Sequence, residues 1–154
     1  MRKTSTKKFT TVLFLFTMLY YLIGCGHVDI DNISSEKLNN ATPQELVEFY
    51  YDSLSMEDIK TAQSCLSTDY AEFLQNADDS DFNSLKKITD IKVTPASPIK
   101  LHNENYDEVQ VVAEYNALYK KIMTVDNGKQ IRFVYVAKKT QDSKWKITSI
   151  GTGP

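Results

Sequence analysis

Two cysteines and two histidines are the residues of this 154-residue chain best suited to covalent or metal chemistry, and only one of the four is placed to use it. Cys25 ends an apolar run and follows Leu22-Ile23-Gly24. A cysteine thiolate is a nucleophile, and a small glycine before it leaves room for a peptidase to cut at Gly24. Cys65 instead falls on an apolar stripe with Ile59, Ala62 and Leu66, the position of a small core residue. His27 lies two residues beyond Cys25, and His102 sits among polar neighbours, so neither imidazole is placed for acid–base work. Two histidines and one spare thiol cannot build a zinc cluster. There is also no glycine-rich phosphate loop, Gly-x-Ser-x-Gly elbow or His-Glu-x-x-His helix. No catalytic residue, metal site or cofactor is expected.

The elements around Cys25 belong to export. Arg2, Lys3, Lys7 and Lys8 form a cationic head, and residues 9–23 are mostly Phe, Leu, Val, Met, Tyr and Ile with interspersed Thr. That stretch is short and polar for a dedicated span of about 20 residues. Leu22-Ile23-Gly24-Cys25 resembles the lipobox of bacterial lipoproteins. The resemblance implies diacylglyceryl transfer to the Cys25 sulfur and cleavage between Gly24 and Cys25. The competing reading is an uncleaved signal anchor with an incidental cysteine. Each buried methylene adds about 0.8 kcal/mol, so two acyl chains hold stably where one holds reversibly. The expected layout is a signal peptide at 1–24, a lipidated cysteine with a flexible tether at 25–41, and a domain at 42–154. The expected address is the outer, extracytoplasmic face of a bacterial plasma membrane, with the membrane itself as partner.

Removing the signal leaves 14 basic against 20 acidic residues, a formal −6. An acidic exported domain is a poor binder of nucleic acid. The remaining 130 residues suffice for one domain with a core of its own. Charge is unevenly spread: residues 25–81 carry 2 basic and 13 acidic residues, residues 82–154 carry 12 and 7. This asymmetry either orients the domain against an anionic surface or partner, or reflects ordinary solvated faces.

The domain opens with Thr42-Pro43-Gln44-Glu45, which combines a capping threonine, a proline suited to the first helical position and a capping-box glutamate. Leu46, Val47, Tyr50 and Leu54 then recur at helical steps. Ser55 and Asp58 introduce a second helix, residues 69–74 a short third, and residues 76–83 an acidic loop. From Ile88 the period changes to two. Residues 88–93 predict a first strand, stopped by Pro95 and Pro98. Residues 108–122 predict a long one with Val109, Val111, Ala113, Tyr115, Ala117 and Tyr119 on one face. Asp126-Asn127-Gly128 marks a hairpin turn, and Ile131, Phe133, Tyr135 and Ala137 alternate out of it. Trp145, Ile147 and Ser149 form the last strand. The fold class is therefore α+β, with N-terminal helices packed on a curved antiparallel sheet.

Three polar constellations are candidates within this frame. Asp79, Asp81, Asn83 and Asp90 have a partial calcium-loop spacing, without the turn glycine or the distal glutamate, so a solvated loop is the expectation. Asp69 with Tyr70, and Tyr50 with Tyr115, are imaginable pocket pairs. A helix cap and half-buried core tyrosines explain them more simply.

Thr42-Pro43-Gln44-Glu45-Leu46-Val47-Glu48-Phe49-Tyr50, the stretch from Ala62 to Tyr70, and Trp145-Lys146-Ile147-Thr148-Ser149-Ile150-Gly151 resemble the nuclear transport factor two-like, or cystatin-like, superfamily. The chain is similar to small lipoproteins of Gram-positive bacteria that carry such a domain. The resemblance implies a cone-shaped α+β fold, used elsewhere as a pocket enzyme of isomerase or dehydratase type, or as a module in secretion and conjugation assemblies. With no evident catalytic set, the leading expectation is a non-enzymatic module that binds an envelope protein or a small apolar ligand.

Overall fold

The computed structural model describes residues 37–77, 81–99, 106–120, 126–139 and 144–153. Gly24, Cys25, His27, Asp79 and His102 lie outside the described residues. Asp31–Pro154 forms one compact unit by itself, and every residue of the hydrophobic core belongs to it.

Helices come first and an antiparallel sheet follows, as alternating periods in the sequence require. Helix α1, Pro43–Ser55, starts with the expected capping box: Thr42 Oγ1 accepts from the Glu45 N–H at 3.3 Å, and Glu45 Oε2 accepts from the Thr42 N–H at 2.8 Å. Such caps contribute about 1 kcal/mol. Its apolar stripe, Leu46, Val47, Tyr50 and Leu54, is buried, and Tyr51 joins it at 0% exposure. Helix α2, Ile59–Ser64, is capped by Asp58, whose Oδ1 accepts from the Thr61 N–H at 3.1 Å. Helix α3, Thr68–Asn76, is capped by Ser67. The region read as an acidic loop contains a further short helix, α4, Asp81–Ser84. The end of the expected tether is also ordered: residues 37–40 are helical, and Leu38 and Ala41 pack against the core.

The sheet has strands β1, Leu85–Val93; β2, Ser97–Pro98; β3, Tyr106–Tyr119; β4, Gly128–Lys139; and β5, Lys146–Gly151. Their order is β1-β3-β4-β5, with β2 also paired to β3, and every pairing is antiparallel. The sheet is not closed into a barrel. Alternation along β3 buries Val111, Ala113, Tyr115, Ala117 and Tyr119 against the helices, as the sequence predicts. On β4 the expectation is reversed. Ala117 pairs with Gly128 and Val111 with Val134, so Gln130, Arg132, Val134 and Val136 face the helices while Ile131 is 43% exposed. A strand's parity leaves no choice: with the two valines inward, Arg132 and Gln130 must follow. Strand β1 breaks the simple alternation read for it. Its pairing with β3 slips between Leu85 and Lys87 and again between Thr89 and Lys92, around Asp90 at φ 56°.

Charges of both signs meet on the outer face of the sheet. Lys129 pairs with Glu114 at 2.6 Å, and Lys92 stands opposite Glu114 in register. Among the described residues no helix is long and apolar enough to cross a membrane.

Candidate functional site

The inward placement of Arg132 creates a buried polar cluster that ties the helical layer to the sheet. Tyr115 and Tyr119, four residues apart on β3, point to the same face. Arg132 comes from β4 beside them, and Asp81 begins α4 above them. Side chains of Arg132 and Asp81 are only 7% and 12% exposed. Asp81 Oδ2 accepts from Arg132 Nε at 2.7 Å and from the Tyr115 hydroxyl. Its Oδ1 accepts from Arg132 Nη2 at 3.1 Å and the Tyr119 hydroxyl at 2.8 Å. Arg132 Nη2 also donates to the Tyr119 oxygen, and Nη1 donates to Gln130 Oε1 and the Ile131 carbonyl. Gln130 completes the chain by donating to the Asp126 carbonyl at the hairpin turn, at 2.8 Å.

Every polar valence of the pair is thus used. Asp81 takes four donors and Arg132 engages all five of its N–H groups. Burial opposes the Arg132 cation, but hydrogen bonds and charge from Asp81 outweigh it and hold its pKa above the ordinary value. Burial, then the neighbouring Tyr51 and Asp81, push the Tyr115 phenol well up, and burial with Asp81 does the same at Tyr119. A general base needs a carboxylate with a free lone pair facing substrate. Asp81 has none, so the cluster is an internal tie of charged groups.

Tyr51 sits against it. Its ring lies 5.0 Å from that of Tyr50 and 4.8 Å from that of Tyr115, and its hydroxyl, sealed from solvent, has no partner in hydrogen-bonding geometry among the described residues. The imagined pair of Tyr50 and Tyr115 is therefore separated by a third ring. Asp69 stands in the first turn of α3, outside the cavity wall, while Tyr70 lines the cavity. The three described residues of the partial calcium loop do not converge. Asp81 is taken by Arg132, the Asn83 amide donates to the Leu74 and Ala77 carbonyls, and Asp90 accepts from Thr89 and Asn116. No group of three His, Cys, Asp or Glu among the described residues could hold a metal ion. Cys65 is fully buried at the C-terminus of α2. Its thiol donates to the Thr61 carbonyl, and burial pushes its pKa up to about 12.

Beside the cluster opens a cavity of about 300 Å³. Asp81 and Arg132 form part of its wall, together with Tyr50, Phe82, Leu74 and Ile150, and Tyr70 and Phe73 stack with centroids 6.0 Å apart and planes at 13°. Phe73 is 62% exposed. The Tyr70 hydroxyl accepts from the Ile150 N–H at 3.0 Å, which fixes α3 to β5.

A family model described as "Domain of unknown function (DUF4829)" matches residues 44–151, which run from the first turn of α1 to the end of β5. The chain belongs to this family. The DUF4829 domain here contains α1 to α4 and the whole sheet, and with them both the Asp81–Arg132 pair and nearly all of the cavity wall. No curated protein and no solved structure matches the chain. Asp81 and Arg132 carry no local sequence signal, since 51 residues separate them. The one available clue was the parity of β4: Val134 and Val136 as core residues imply an inward Arg132.

Proposed function

We propose that this DUF4829 protein is a lipid-anchored, extracytoplasmic lipoprotein whose domain binds a ligand at the cell envelope and does not catalyse a reaction. The observation that carries the binding half is the saturated Asp81–Arg132 pair beside an aromatic-walled cavity. Acid–base chemistry needs a titratable group left free in a pocket, whereas binding sites are mostly apolar with a few fixed polar groups. The anchoring half rests on Leu22-Ile23-Gly24-Cys25, the cationic head before it and the acidic segment after it. Helices followed by an antiparallel sheet agree with the nuclear transport factor two-like resemblance. Cys25 would take the lipid and the domain would stand at the outer surface of the plasma membrane.

Metabolic labelling with an alkyne fatty acid tests the anchor. The wild type takes the label and Cys25→Ala does not; label retained by Cys25→Ala refutes lipidation at this cysteine.

A further inference from the structure

The cavity wall also says what kind of molecule suits it. A cationic ligand needs an available carboxylate and an anionic ligand an available guanidinium, yet Asp81 and Arg132 spend all their hydrogen-bonding capacity on each other and on protein neighbours. Two phenols are differently placed. Tyr50 is 1% exposed and lines the cavity, and its hydroxyl has no hydrogen-bond partner among the described residues. Unlike the sealed hydroxyl of Tyr51, it is left to the cavity. The Tyr70 hydroxyl accepts a backbone N–H, but its own proton has no acceptor among the described residues. Burial keeps both phenols neutral, so both remain donors. The rest of the wall is chiefly apolar, with Phe73, Leu74, Phe82 and Ile150. A volume of about 300 Å³ is small for a ligand site.

Building on the binding reading, we infer that the cavity takes a compact, neutral, largely apolar molecule that offers one hydrogen-bond acceptor, such as a carbonyl or ether oxygen, to Tyr50. Apolar surface supplies the affinity, and the buried phenol rewards an acceptor and penalises a ligand that leaves it unpaired. Moving a charge into this wall strips its hydration with no partner in return.

The test uses the full chain, labelled with ¹⁵N, and four probes on one ring system: 2-acetylnaphthalene, 2-ethylnaphthalene, 2-naphthoate and 2-naphthylmethylammonium. Amide shifts of Ile150 and Gly151 report occupancy. The ketone binds about two- to tenfold more tightly than the hydrocarbon, the net worth of one neutral hydrogen bond, and more tightly than either ion. Tyr50→Phe, which keeps the ring in the core, abolishes that preference: the ketone loses its hydrogen bond and the hydrocarbon, with no phenol left unpaired, binds as tightly as before or more tightly. Equal binding of ketone and hydrocarbon, preference for a charged probe, or a preference that survives Tyr50→Phe overturns the ligand class, while the cavity remains a site. No shift at Ile150 or Gly151 with any probe overturns the binding reading as well.

Discussion

Replacing Arg132 by methionine keeps the length and apolar stem of the side chain and removes the cation from beneath Asp81. The carboxylate then loses its two guanidinium donors, at 2.7 and 3.1 Å, and keeps the hydroxyls of Tyr115 and Tyr119. Removing one partner of a buried ion pair costs about 3–5 kcal/mol. The two surviving tyrosines and the 12% exposure of the Asp81 side chain place this case near the lower end, at about 3 kcal/mol. For a domain of this size that lowers Tm by about 9–12 °C. Urea denaturation of wild type, Arg132→Met, Asp81→Leu and the double variant closes a cycle. The double variant should cost less than the two single variants together by about 2 kcal/mol, because it leaves no stranded charge. A loss below about 1 kcal/mol for Arg132→Met, or coupling below about 0.5 kcal/mol, refutes the assignment of the pair as an internal tie. Unchanged stability in Asp81→Leu would go further and mark the carboxylate as one retained for chemistry at no benefit to the fold.

Removing the orphaned hydroxyl with Tyr51→Phe should leave stability unchanged or raise it by up to about 1 kcal/mol, whereas Tyr115→Phe, which takes a donor from Asp81, should cost about 1–2 kcal/mol; the reverse order in urea melts contradicts the geometry. Cys65, the only thiol of Asp31–Pro154, should resist Ellman's reagent at pH 8 in the native unit and react at a rate that follows the unfolded fraction as urea is added. Fast native labelling would show the thiol to be accessible. The phenols of Tyr50, Tyr51 and Tyr115 and the Cys65 thiol are all raised by burial, so the unfolded chain releases these protons first. Stability should be full below about pH 8.5 and then fall with rising pH, by up to about 1.4 kcal/mol per pH unit for each group that has ionised in the unfolded chain. Lys146, whose pKa burial lowers, offsets about one group near pH 10. Unfolding followed by Trp145 fluorescence from pH 8 to pH 11 measures this, and a flat or rising curve rejects it.

The parts of the fold legible in the sequence are those in which local chemistry and burial agree. Thr42, Pro43 and Glu45 state the start of α1 in four residues, and β3 alternates apolar inward side chains over most of its length. Strand β4 misleads for a physical reason. Its inward set includes Arg132 and Gln130, so hydrophobic parity points to Ile131 and Phe133, and only pairing with β3 corrects it. The candidate site was hidden by the same cause. Tyr50 and Tyr115 could be singled out as pocket tyrosines, but Asp81 sits in a stretch of acidic residues that reads as solvated, and the cation that neutralises it arrives from the far end of the chain. Long-range compensation of charge has no local signature.

Bonds that join the helical layer to β5 also decide how this domain can meet another protein. The Ile147 N–H donates to the Cys65 carbonyl at 2.9 Å, the Ser67 N–H donates to the Ile147 carbonyl at 2.8 Å, and the Ile150 N–H is taken by Tyr70. An incoming strand would find these sites on the β5 margin already occupied. At the opposite margin, β1 carries two register slips, a residue at φ 56° and Lys86, Lys87 and Lys92, all features that discourage continuation of a ladder. Templated stacking of copies, or capture of a peptide by strand addition, is therefore disfavoured at both margins. Side-chain surfaces are then the favoured route of association with other proteins, and copies crowded side by side can stay separate.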